Sequence, residues 1–165
     1  MRPGAAGCER QAAHGILRGT LADVPTVSTL DRVAQLGRLG SGAIWFYQGL
    51  VPKLLGPHPE ELAMAGAFGL APGFQRAASY TAAVLEIVLA ACIVAARRQV
   101  WPHALSVFAC IALLAFVEIF APSHLVAPFN PVALNVVLGV LSLITLLCIR
   151  GLGSSARPHA LPRQH

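Results

Sequence analysis

The chain has 165 residues, of which 56% are hydrophobic and only 12% charged, with a mean hydropathy of +0.66. A soluble domain carries roughly 25% charged residues, so the composition argues for one membrane domain and against one or two water-soluble ones. The net charge of +5 sits mainly at the chain ends and in one short turn; it reads as orientation charge with affinity for anionic lipid, and not as a nucleic-acid surface.

Residues 1–31 mix Gly, Ala, Arg and Thr with no sustained apolar period and no apolar core of the kind a secretory signal needs. They are expected to form a disordered or poorly ordered tail. Arginine outnumbers lysine eleven to one, which fits a GC-rich bacterial genome. The four cysteines, Cys8, Cys92, Cys110 and Cys148, show neither C-x-x-C nor metal-ligand spacing. The last three lie in apolar runs and read as inert thiols.

The first apolar segment, about residues 36–55, is the least hydrophobic of four. It carries Arg38, several glycines, Gln48, Pro52 and Lys53. Charge distribution argues that it crosses the membrane all the same. Arg97 and Arg98 mark a cytoplasmic turn, and Arg2, Arg10, Arg18, Arg32 and Arg38 precede or enter the segment; without a crossing those five would lie on the far side, against the positive-inside rule. Helical spacing puts Ser41, Gln48 and Pro52 on one face and Gly42, Phe46, Gly49 and Lys53 on the next. The glycines allow close helix contact, and Lys53 is expected to snorkel to the outer interface. Then Pro57-His58-Pro59-Glu60-Glu61 reads as a helix start, with proline and acids in the first turn. The LAMAGAFG that follows is too short to span and is expected at the outer surface.

The second span, residues 77–96, is bracketed by Arg76 and by Arg97 and Arg98, and holds a single charged residue, Glu86, at its middle. A carboxylate at that depth costs a few kcal/mol, so it must face protein, water or a partner rather than lipid. Ser79, Ala82, Ala83, Glu86 and Ala90 form a narrow stripe against which a neighbour can pack. The third span, 101–121, returns to the outer side and places Glu118 near that boundary. Residues 122–129 hold no Asp, Glu, Lys or Arg, as an external loop can; Asn130 then caps a fourth span, 131–149, with Pro131 in its first turn and Asn135, Gly139 and Ser142 facing inward. Residues 151–165 form a basic C-terminal tail. The expected fold is all-α: an antiparallel four-helix transmembrane bundle, with both termini on the cytoplasmic side.

These depths gather one constellation. Lys53, Glu118, His124, Asn130 and Asn135 fall at the outer helix ends, with Gln48 and Glu86 deeper. They could line a pocket open to the outer side, with Gln48, Lys53, Glu86, Glu118, Asn130 and Asn135 as ligand contacts and Glu86 or Glu118 exchanging protons. The plainer alternative pairs Lys53 with Glu118 and leaves Gln48 and Asn135 as hydrogen bonds between packed helices. No metal site is expected, since His58 and His124 are lone loop histidines without a second ligand. Phosphate loops, G-x-S-x-G and H-E-x-x-H are all missing.

The run WFYQGLVPKLLGPHPEEL from Trp45 to Leu62 resembles the first helix and loop of the DoxX-like family of small bacterial integral membrane proteins. Glu86, the Glu118-x-x-x-Pro122 helix end and Asn130-Pro131-x-x-x-Asn135 extend the resemblance over about residues 32–149. Relatives of this kind include a small membrane subunit of thiosulfate:quinone oxidoreductase. The resemblance therefore implies a redox-associated, quinone-linked subunit or accessory in the bacterial inner membrane, with a redox partner subunit or a second copy as its company. Any part in catalysis is expected as a membrane subunit of an oxidoreductase complex, and a quinone is the one cofactor implied. A non-catalytic scaffold is the second reading. A small-solute carrier is the third and weakest, because four short helices show no inverted repeat.

The charge pattern yields a direct test of topology. Reporter fusions after Gly73 and after Val126 should report the periplasm, and fusions after Arg98 and after Arg157 the cytoplasm. A cytoplasmic signal at Gly73 would mean that the first segment does not cross.

Overall fold

The computed structural model of the chain describes residues 26–125 and 131–155. Among these every regular element is helical and none is a strand. The expected tail, 1–31, and the C-terminal residues beyond 155 therefore lie largely outside the described residues. So does Asn130, the expected cap of the last helix.

Helix α1 covers Val27–Gly49 and begins nine residues before the expected span start at 36. The reason is local: Thr26 adopts an extended conformation and its hydroxyl accepts from the Thr29 backbone N–H at 3.3 Å, which satisfies one of the orphan donors of a first turn. From Leu50 to Leu54 the helix widens into a π turn, with the Leu55 N–H donating to the Leu50 carbonyl at 2.9 Å. Pro52 accounts for the change of pitch. It has no N–H to give to the Gln48 carbonyl, and its ring would crowd that carbonyl in a regular α-helix. Helix α2, Pro59–Ala67, starts as the sequence indicates, with His58 as N-cap, proline in its first position, and Glu60 and Glu61 in its first turn. The chain turns away after Phe68 through Gly69, whose φ of +95° is open to glycine and strained for other residues.

Helix α3 covers Pro72–Ala95, α4 Trp101–Phe120 and α5 Pro131–Ser155; a short 3-10 turn, Pro122–Leu125, follows α4. These three are long and apolar enough to cross a membrane, whereas α1 is not apolar enough by the same measure. Part of the difference has a visible cause, because the inward face of α1 is polar: Arg38, Ser41 and Gln48 are all buried, and so is Lys53 in the turn that follows.

Helix α1 is the element on which the others assemble. It packs extensively on both α3 and α5, and α4 packs mainly on α5. Although α3 and α4 are joined by only residues 96–100, they touch little. Short loops ordinarily make neighbours of the helices they join, but not of this pair. Small residues explain the choice, since they let two backbones approach where bulky ones cannot. A methyl placed on Gly49 would lie 2.7 Å from the Ala83 carbonyl oxygen, and one on Gly42 would lie 2.6 Å from a Val94 methyl. Gly37 stands in the same way against Thr145 on α5. As numbers rise along α1 they fall along both neighbours, so α1 runs opposite in sense to α3 and to α5.

Two polar devices pin this core. The Trp45 indole N–H donates to the Ser106 hydroxyl at 2.8 Å, Ser106 bonds Ser142 at 2.8 Å, and Ser142 donates to Ser41 at 3.4 Å, which ties α1, α4 and α5 together. Arg38 donates to the Val94 carbonyl, one of the last on α3, where the carbonyls lack intrahelical partners and the helix dipole is negative. Arg38, counted from the sequence only as an orientation charge, is thus buried and also caps a neighbouring helix.

Candidate functional site

The wider turn at Leu50–Leu54 sets the geometry of the site. In a regular α-helix Lys53 would stand about 140° around the axis from Gln48. In a π turn, bonded i to i+5, the two come close to one face. Lys53 is accordingly buried, and its Nζ donates to Glu86 Oε1 at 2.7 Å. Its expected excursion to the outer interface does not occur. Nor does the alternative pairing with Glu118, for Glu118 is exposed on α4. Val117, one residue earlier, faces inward, and the step of about 100° per residue turns the next carboxylate away. Glu61 on α2 approaches the same ammonium from the other side, at 3.8 Å.

Around this pair lies a cavity of about 630 Å³, lined from α1, the π turn and α2 to α5. Gln48, Lys53, Glu86 and Asn135 from the sequence-derived set all line it; Glu118 does not. The side chain of His124 and the whole of Asn130 lie outside the described residues. The sequence reading missed several lining groups: Glu60, Glu61 and Met64 of α2, and Tyr47, Phe68 and Phe116. For α2 a signal was available, as its acids were recognised, but they were assigned only to the first-turn dipole. Helix α2 is held over the cavity by an aromatic cluster, with the Phe68 ring 5.8 Å from that of Phe116 and 5.2 Å from that of Phe120. Such contacts add about 0.5–1.5 kcal/mol each beyond buried area.

The stripe on α3 is placed as the spacing indicates. Ser79, Ala83, Glu86 and Ala90 are buried and Ala82 is partly so. Three of the polar atoms around the cavity stand out. Glu86 Oε2, Ser79 Oγ and Asn135 Oδ1 are buried without a hydrogen-bond partner among the described residues. Their side chains belong to residues only 7%, 5% and 7% exposed. A buried polar atom left unpaired costs about 1–3 kcal/mol, and all three belong to residues that line this one cavity.

A second buried ionisable group lies elsewhere in the bundle. His103, in the first turn of α4, is fully buried, and neither ring nitrogen has a partner among the described residues. It lies within electrostatic reach of Arg38. Nothing in the sequence singled it out, although His103, Ser106 and Cys110 recur at helical spacing and share the buried face.

The pair itself can be tested by removing one partner and then both. Lys53→Met leaves a buried carboxylate without its cation, a change that costs roughly 3–5 kcal/mol. The variant should unfold at a markedly lower temperature in detergent, and Lys53→Met combined with Glu86→Leu should recover most of the loss. A single variant as stable as wild type, or a double variant no better than the single, would contradict the pairing.

Residues 42–143 match the DoxX-like family, a stretch that takes in the last third of α1, the cavity and about half of α5. No curated protein matches the chain, and no solved structure does.

Proposed function

The chain belongs to the DoxX-like family, and we propose that it is a four-crossing bacterial inner-membrane protein whose cavity binds the head of a quinone, as a subunit or accessory of a redox complex. In this reading α1 with its π turn makes the first crossing, the bundle is antiparallel, and both termini face the cytoplasm. The observation that carries the reading is the trio of buried, unpaired polar atoms beside the Lys53–Glu86 ion pair. The rest of the lining suits the remainder of such a molecule. Phe116, Leu113, Val117 and Leu134 supply an apolar wall, and a volume of about 630 Å³ lies within the range of small-molecule sites.

What the residues of this chain would do follows from their chemistry. Lys53 can donate toward a carbonyl oxygen, Asn135 and Ser79 can orient a ring oxygen, and Glu86 can accept a hydrogen bond or a proton through Oε2. A bound quinone would supply two-electron, two-proton redox chemistry; the electrons must come from a partner. Glu86 remains the best placed proton-exchanging group, since Glu118 is turned out of the cavity. The scaffold reading predicts no such cavity ligand and no effect of filling the cavity.

The test is binding to the purified chain in lipid nanodiscs, by equilibrium dialysis with a short-tail benzoquinone offered in oxidised and reduced form. At least one form should bind at one per chain. Ala82→Phe, which places a ring in the cavity, should abolish that binding while leaving the thermal midpoint near wild type. Binding that survives Ala82→Phe, or no binding of either form, would overturn the proposal.

A further inference from the structure

The charges and open hydrogen-bonding groups of the cavity distinguish the two redox forms of such a ligand. Three carboxylates line it, Glu60, Glu61 and Glu86, against one ammonium, Lys53. That ammonium already faces two of them, Glu86 at 2.7 Å and Glu61 at 3.8 Å. Glu86 Oε2, the open atom nearest the charge, is an acceptor in the ionised pair, Asn135 Oδ1 is another, and Ser79 Oγ can accept as well as donate.

An oxidised quinone presents only carbonyl acceptors. Against these three atoms it would set acceptor against acceptor and leave the buried carboxylate oxygen unpaired, and the ammonium that could serve it is already shared by two carboxylates. A hydroquinone presents two O–H donors and pairs with these atoms directly. We propose that the cavity is a site for a hydroxyl-donating aromatic head, a hydroquinone or a similar phenol, and that it holds the reduced form in preference to the oxidised one. This inference rests on the reading of the cavity as a quinone-head site and goes further by assigning its redox preference. The excess of carboxylates also disfavours anionic ligands such as fatty acids or organic phosphates.

The preference comes from one charge-assisted hydrogen bond and should be about tenfold in dissociation constant. Tighter binding of the reduced form makes the bound quinone easier to reduce. The bound couple should therefore lie about 30 mV above the same couple free in the bilayer.

The experiment measures both constants for a short-tail benzoquinone and its quinol on the full chain in nanodiscs, with the potential of the bound couple by redox titration as a second readout. Wild type should bind the quinol about tenfold more tightly, as one such bond warrants. In Glu86→Gln the new amide can donate, and the preference should vanish or invert. Asn135→Leu, which leaves the ion pair in place, should weaken the quinol more than the quinone and guards against a Gln variant that fails to fold. Equal affinity for both forms, or tighter binding of the quinone, overturns the preference while leaving the cavity reading intact. Binding of neither form removes the cavity reading itself.

Discussion

The ion pair between Lys53 and Glu86 is the constraint on which this architecture turns. An isolated carboxylate in the middle of an apolar helix is costly, and an isolated ammonium beside it equally so. Joined at 2.7 Å they are compatible with a membrane interior, but only if two helices come close enough and the lysine turns inward. Gly49 against the Ala83 carbonyl provides the approach. The π turn provided by Pro52 provides the rotation. Helix α2 then closes over the pair with Glu61 and is anchored by Phe68 on α4. The cavity is what remains once these demands are met, and its unpaired atoms are the second oxygen of that carboxylate and its neighbours.

The same helix explains the rest of the bundle. From Arg38 onward helix α1 and its π turn direct their polar residues inward. Arg38 caps α3, Ser41 and Trp45 join the hydroxyl chain to α4 and α5, and Gln48 and Lys53 reach the cavity. Its modest hydropathy is the consequence of holding the centre. The outward faces of α3, α4 and α5 carry exposed Val, Leu, Ile and Phe, as surfaces solvated by lipid chains do. One group stands apart from this scheme: His103 is fully buried near Arg38, away from the cavity lining, and it has no assigned part.

Much of the fold was legible because a run of about twenty apolar residues has few alternatives. The apolar runs at 77–96, 101–121 and 131–149 coincide with the observed helices α3, α4 and α5: α3 and α4 each end one residue earlier than the run, α3 starts five residues sooner and α5 ends six residues later. The depth of Glu86 and the small-residue stripe beside it were likewise readable from spacing. What could not be read was rotation. A proline in an apolar run does not announce a π turn, and without one Lys53 counts as an interfacial residue. Glu118 was misjudged for the same reason, since depth along a helix says nothing about which side of it faces the cavity. The partnership of α1 with both α3 and α5 also escaped, because chain order favours sequential neighbours and the glycines override it.

The central claim, that Glu86 is an ionised partner of Lys53 with one oxygen kept for a ligand, is open to infrared difference spectroscopy. Spectra of wild type minus Glu86→Gln should contain the symmetric and antisymmetric stretches of an ionised carboxylate. Those bands should shift in Lys53→Met and again when a quinol is added to wild type. A protonated carboxyl C=O band in wild type, unmoved by either change, would contradict the account.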